Sequence, residues 1–255
     1  MGFNSHRGFE PLTLRHLPEF QSKFLNIINR YLPYILPSLC ILCGDKGCES
    51  RDLCFACYAE LSKNIPLCYQ CANNTAKPHP TGLCPDCLNN PPAFDETFAP
   101  FVHHGSTRYL ILQLKFHRHY PSARLLGGLM ADYLKKTAEF PDCIIPVPLH
   151  KNRYRERGFN QSIEIARVLS KQLSLPLDIH SCSRHRDTVH QVGLNAEQRN
   201  ENIRNAFSVS PKFNAKHVAL IDDVMTTGST VHELALALKI AGCHRVQVWV
   251  CAKAR

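Results

Sequence analysis

From residue 93 onward the chain alternates between two hydrophobic periods. Apolar positions spaced three and four apart predict helices over 106–116, 122–138, 160–173 and 229–241. Short apolar runs between them predict strands at 142–147 (DCIIPV), near 177–182, and at 206–209, 217–222 and 245–251 (RVQVWVC). A polar loop is expected at 184–196. Strands that alternate with helices predict an α/β domain: a parallel sheet with helices on both faces. Ligands of such sheets bind outside the carboxyl ends of the strands.

Upstream of this region, residues 20–36 carry apolar side chains at Phe20, Phe24, Ile27, Ile28, Tyr31, Leu32 and Ile35. That spacing predicts an amphipathic helix that packs against the rest of the protein. Residues 1–19 are polar and mixed, and are expected to be a disordered extension or an over-long start. Asn89, Asn90, Pro91 and Pro92 mark a boundary by their turn chemistry. The expected organisation is therefore 1–19, 20–92 and 93–255.

The 255 residues are 44% apolar, enough for a substantial core, and nothing in them indicates global disorder. The formal net charge of +9 suits anionic ligands such as phosphates, nucleotides or nucleic acid. No segment reads as a membrane span, because Arg30, Pro33 and Pro37 interrupt the most apolar early stretch. No signal-peptide layout is recognisable, so a cytoplasmic protein is expected.

Thirteen cysteines change the picture more than the charge does. Eight form four C-x-x-C pairs: Cys40 with Cys43, Cys54 with Cys57, Cys68 with Cys71, and Cys84 with Cys87. Two thiolates on one knuckle can occupy two corners of a tetrahedron, and a second knuckle supplies the other two. Two structural Zn²⁺ sites are expected, the first pair joining the second and the third joining the fourth. Cys48 and nearby histidines are spare ligands. A segment of this size has a poor core of its own, and metal would supply its stability.

The run Val218 to Thr230, VALIDDVMTTGST, carries the most specific chemistry. A buried strand ends in Asp222 and Asp223, then passes Val224 and Met225 into Thr226, Thr227, Gly228, Ser229 and Thr230, where a helix begins. Backbone N–H groups at a helix N-terminus and neighbouring hydroxyls favour a phosphate, and the carboxylates can accept hydrogen bonds from vicinal sugar hydroxyls. The alternative is an ordinary βα turn with exposed acids. No Gly-x4-Gly-Lys-Ser/Thr loop occurs in the chain.

Two further stretches are basic. After the 142–147 strand, PVPLH leads into KNRYRERGFNQS, a loop with Lys151, Arg153, Arg155 and Arg157 before a helix start. Such cations at a strand end suit a pyrophosphate. Residues 183–207 form a long polar segment with Arg184, Arg186, Thr188, Gln191, Leu194, Arg199 and Asn202, of the kind that closes over a site.

The 218–230 run resembles the phosphoribosyl pyrophosphate (PRPP) loop of type I phosphoribosyltransferases, with Ser229 where many members have glycine. Taken with the cysteine pairs, Leu114–Lys115–Phe116, PVPL, RERGFNQS and the RxRxT-x2-Q-x2-L stretch, the order of motifs resembles the ComF family (ComFC/GntX-like proteins). The resemblance covers about residues 22–255. It implies a type I phosphoribosyltransferase fold over 93–255, a double zinc module over 20–92, and PRPP with Mg²⁺ as ligands. It also implies a role in competence and DNA uptake, with single-stranded DNA and a helicase-like protein as partners. Asp222 and Asp223 would orient the ribose and stabilise its developing positive charge. The 224–230 residues would hold the 5-phosphate, and Lys115, Arg157, Arg184 and Arg186 would face the pyrophosphate. The acceptor would be recognised by a hood made of the zinc module and residues 93–120, and no general base is identifiable. Three readings remain open: an active transferase, a PRPP or nucleotide sensor without turnover, and a zinc-knuckle adaptor for nucleic acid or protein.

Overall fold

The computed structural model describes residues 38–48, 51–65, 68–74, 80–186 and 205–254. The expected 1–19 extension, the 20–36 helix, and Thr188, Gln191, Leu194, Arg199 and Asn202 lie outside them.

Residues that follow the cysteine module build a parallel five-stranded sheet. Its strands are β1 (Glu96–Phe98), β2 (Phe101–Val102), β3 (Cys143–Pro146), β6 (His217–Met225) and β7 (Arg245–Lys253). The order is β1–β7–β6–β3, with β2 continuing β1 along the same edge of β7. Strand β7 is buried along nearly its whole length and β6 is buried without a break over Val218–Ile221, as continuous apolar runs require when helices cover both faces. Those helices are α3 (Gly105–His117), α4 (Tyr120–Thr137), α6 (Gln161–Leu173) and α7 (Ser229–Ile240). Leu110, Leu114, Leu126, Met130, Ile165 and Leu169 fill one face around Trp249, while Leu234, Leu238, Val246 and Val248 fill the other.

Four local departures from the sequence reading have physical causes. The strand expected near 177–182 is reduced to one bridge, Leu177 to Ile144. Pro176 has no N–H to extend it, and the Asp178 carboxylate then accepts from His180 N and Ser181 N, both at 2.9 Å, which turns the chain. The strand beyond it, β4 (Cys182–Arg184), pairs antiparallel with β5 (Phe207–Val209) in a separate ladder. The basic segment after Pro148 is a helix, α5 (Lys151–Arg157), and not a loop. His150 caps its first turn by accepting from Asn152 N, and Gly158 ends it in the left-handed region at φ 78°. Strand β6 runs past residue 222 to Met225 because pairing with β7 continues through Val224–Ala252 and Met225–Lys253. Strands β1 and β2 were missed, being too short for a period to register.

The two halves of the cysteine module, a first ribbon around Cys40 to Cys57 and a second around Cys68 to Cys87, are attached to this body and not strung from it. Leu53 and Leu61, from the first, join the core around α3 and α4. Arg51 pairs with Asp132 at 2.7 Å, and Asp52 accepts from Arg124 Nε at 3.1 Å. Short helices α1 (Phe55–Ala59) and α2 (Pro85–Asn89) each start at a cysteine, Cys54 and Cys84. The second ribbon packs on β1: Thr97 N donates to Tyr69 O at 3.0 Å, and Thr97 Oγ1 to Gln70 O at 2.6 Å. No helix among the described residues is long and apolar enough to cross a membrane.

Candidate functional site

Asp222 and Asp223 sit near the carboxyl end of β6, an interior strand, where parallel sheets open to ligands. Asp223 is 2% exposed, and its Oδ2 lies 2.8 Å from Lys115 Nζ on α3. Its Oδ1 accepts from Val224 N at 2.7 Å. Asp222 Oδ1 accepts from Ser162 Oγ at the start of α6 and from Asp223 N, both at 2.9 Å. Burial pushes the Asp222 carboxyl up to about 7, the Asp223 charge acts in the same direction, and Lys115 opposes both. The α6 start is itself fixed by Asn160, which accepts from Ser162 N at 2.9 Å and donates to Val147 O at 3.0 Å.

The loop that follows is narrow by construction. Gly228 adopts φ 86°, a conformation that side chains rarely tolerate. A Cβ there would lie 2.7 Å from Met225 Cε and 3.5 Å from Phe94 Cζ. Thr227 Oγ1 and Ser229 Oγ are hydrogen-bonded at 2.9 Å at the N-terminus of α7, with Thr227 exposed and Ser229 partly so. Lys253 Nζ donates to Thr226 O from beneath. Burial lowers the Lys253 ammonium's pKa, and the sulfurs of Cys71, Cys84 and Cys87 act against that shift.

Beside the acids, Lys115, Phe116, Arg118, Arg153, Glu156 and Arg157 line an open cleft of about 240 Å³. The Arg157 guanidinium lies 6.0 Å from the centre of the Phe116 ring, which is 67% exposed. Of the expected site residues, Asp222, Asp223 and Lys115 are in direct contact. Arg157 lines the same cleft as Lys115. Arg184 instead lies on the β4–β5 ladder with its guanidinium 5.5 Å from the Phe207 ring centre, and Arg186 follows it two residues on. Ser162, Lys253, Arg118 and Phe94 were not singled out from the sequence. Ser162 had a usable signal, as the serine of RERGFNQS at a helix start. Lys253 had another, a lone lysine ending an apolar strand.

The cysteines form two sets, Cys40, Cys43, Cys54 and Cys57, and Cys68, Cys71, Cys84 and Cys87. Within each set all four sulfurs lie within 4.8 Å of one another. Cys43–Cys54 and Cys71–Cys84 are both 3.6 Å apart, near the roughly 3.8 Å edge of a Zn–S₄ tetrahedron. The pairing is the sequential one, and the donor sets fit two structural Zn²⁺ ions. Cys48 belongs to neither set.

Residues 31–88 match the model of the double zinc ribbon domain, and residues 160–255 that of the phosphoribosyl transferase domain. Competence protein F of Haemophilus influenzae is 33% identical over 226 residues, covering 84% of this chain and 96% of that protein. The DNA utilization protein YhgH of Salmonella typhimurium is 34% identical over 220 residues, with the same two coverages. The chain belongs to the ComF family. A more distant relative, competence protein ComFC of Bacillus subtilis, is 23% identical over 230 residues, covering 78% of this chain and 88% of its own. A solved purine phosphoribosyltransferase from Pyrococcus horikoshii overlaps 52% of this chain and 82% of its own, at 16% identity and a TM-score of 0.31. The order of motifs along the sequence thus identified the family correctly. In this ComF-family chain the phosphoribosyltransferase fold carries the acid pair, and the ribbons carry the two four-cysteine sets.

Proposed function

We propose that the acid pair, the 226–230 loop and the adjoining cleft bind PRPP together with Mg²⁺. One observation carries this reading: Asp222 and Asp223 end an interior parallel strand immediately before a hydroxyl-rich, glycine-bent turn at a helix N-terminus. The N–H groups and hydroxyls of Thr226, Thr227, Gly228, Ser229 and Thr230 would take the 5-phosphate, with Val224 and Met225 as packing. Asp222 and Asp223 would accept from the ribose hydroxyls and stabilise positive charge on the ring. Lys115 and Arg157 would face the pyrophosphate, joined by Arg184 and Arg186 from the β4 side. The oxygen-only acid pair suits Mg²⁺, which would supply charge to the phosphate oxygens.

Transfer of ribose 5-phosphate to a nucleophile, with pyrophosphate leaving, is the reaction such a site would perform. Isothermal titration with PRPP and Mg²⁺ tests binding, and pyrophosphate release with candidate bases tests turnover. Heat without release would favour a sensor, and no heat would remove the PRPP reading. The relatives' names support a place in competence-linked DNA uptake, with single-stranded DNA and a helicase-like protein as proposed partners. The cysteine sets, which need reduced thiols, support a cytoplasmic setting.

A second reading has its own observation. Four cations around the exposed Phe116 ring offer phosphate contacts and a stacking surface, as a nucleic-acid adaptor requires. Affinity for single-stranded DNA that falls steeply with salt would support it, and absence of binding at low salt would count against it.

A further inference from the structure

Lys253, the last residue of β7, is only 6% exposed, an uncommon place for an ammonium group. Among the described residues it has no carboxylate partner. It donates instead to two carbonyls, Thr226 O and Ala254 O, the latter at 3.3 Å. Its register partner on β6, Met225, shares a buried core with Cys68, Cys71, Cys84 and Cys87, and the charge on Cys71, Cys84 and Cys87 works against the lowering of its pKa by burial. A zinc ion held by four thiolates is net negative, so the filled second cluster would supply the counter-charge that a buried cation needs.

A second route joins the same cluster to the loop. Gln70, inside the Cys68–Cys71 knuckle, donates to Phe94 O at 3.1 Å, and the Phe94 ring packs beneath Gly228. All four sulfurs share a core with Phe94, Met225 and Val231. The first cluster docks elsewhere, on the α3 and α4 side of the sheet.

We propose that Lys253 is a positioning residue that couples the second zinc centre to the phosphate loop. Its ammonium, held by the zinc–thiolate charge, fixes the Thr226 carbonyl and so the turn from which residues 227–230 present their N–H groups. The coupling rests on the phosphate-loop reading above, and its test keeps the two separable.

Wild type, Lys253→Met and Cys43→Ser are compared by calorimetry with ribose 5-phosphate and with pyrophosphate. Metal content and amide hydrogen exchange at residues 226–230 are measured alongside. Lys253→Met should keep both zinc ions, weaken ribose 5-phosphate about tenfold, leave pyrophosphate within about twofold, and speed loop exchange about tenfold. Cys43→Ser, which disturbs only the first cluster, should leave loop exchange unchanged. Unchanged loop exchange in Lys253→Met, or equal loss of both ligands, overturns the proposal. If wild type binds neither ligand, the PRPP reading fails, and loop exchange alone decides the coupling. If Lys253→Met does not fold, Lys253→Gln, which keeps a side-chain donor but no charge, is compared with wild type: faster exchange at residues 226–230 with both zinc ions retained is expected, and unchanged exchange overturns the proposal.

Discussion

The Lys115 ammonium lies 2.8 Å from Asp223 Oδ2, joining α3 to the end of β6 across the face where the basic cleft opens. Asp223 is almost fully buried, whereas Lys115 keeps one side towards the cleft. Removing the lysine leaves a carboxylate in low dielectric with only the Val224 N–H as a described donor. Breaking a well-buried pair costs several kcal/mol, and the partial exposure of Lys115 reduces this to about 2–3 kcal/mol. Lys115→Met should therefore unfold about 5–10 °C below wild type. Lys115→Met/Asp223→Asn should recover part of that loss, and scanning calorimetry of the three proteins checks it. Equal midpoints would mean that the pair contributes nothing.

Asp222 predicts a pH dependence with a definite sign. Its folded carboxyl, raised to about 7 by burial and by Asp223, holds a proton between pH 4 and 7 that the unfolded chain releases. Its contribution is thus greatest at low pH and is lost as pH rises towards 7. Asp222→Asn should gain stability relative to wild type as pH increases from 5 to 8, read as a widening difference in unfolding midpoint. A constant difference would show that the group titrates normally.

Gly228 predicts a local failure. Its φ of 86°, and Met225 Cε only 2.7 Å from where an added methyl would sit, leave little room for alanine. The flexible Met225 can move, so backbone strain dominates, at about 1–2 kcal/mol. Gly228→Ala should lower the unfolding midpoint by a few degrees and weaken ribose 5-phosphate more than pyrophosphate. Equal weakening of both would place the loop away from the 5-phosphate.

Much of this architecture was legible in the sequence. The periodic segments located four helices and the interior strands, because long amphipathic helices and unbroken apolar runs leave strong patterns. The acid pair and the cysteine knuckles were legible as chemistry, since their spacing is fixed by ligand geometry. What escaped depended on tertiary pairing. Strand β6 extends past its acids only because β7 offers a partner as far as Lys253. The KNRYRER helix is too short and too charged to show a period, and is recognisable by its His150 and Gly158 caps. The links from Ser162 to Asp222 and from Lys253 to Thr226 join residues far apart in the chain.

Zinc content distinguishes the two clusters. Purified protein should contain two zinc ions per chain, and one or none would contradict the two four-cysteine sets. Cys71 is buried in the core beside Phe94 and Met225, whereas Cys43 is exposed. Cys71→Ser should therefore lower the unfolding midpoint more than Cys43→Ser, each losing about one zinc. The reverse order would mean that the second ribbon is not integral to the core.

The carboxyl end of β6 is proposed to hold PRPP through Asp222 and Asp223. Calorimetric titration of PRPP with Mg²⁺ into wild type and Asp222→Asn/Asp223→Asn tests it most directly. Saturable binding to wild type, weakened at least about tenfold in the double variant with both zinc ions retained, is the predicted result. No binding to wild type, or equal affinity in the double variant, would contradict the claim.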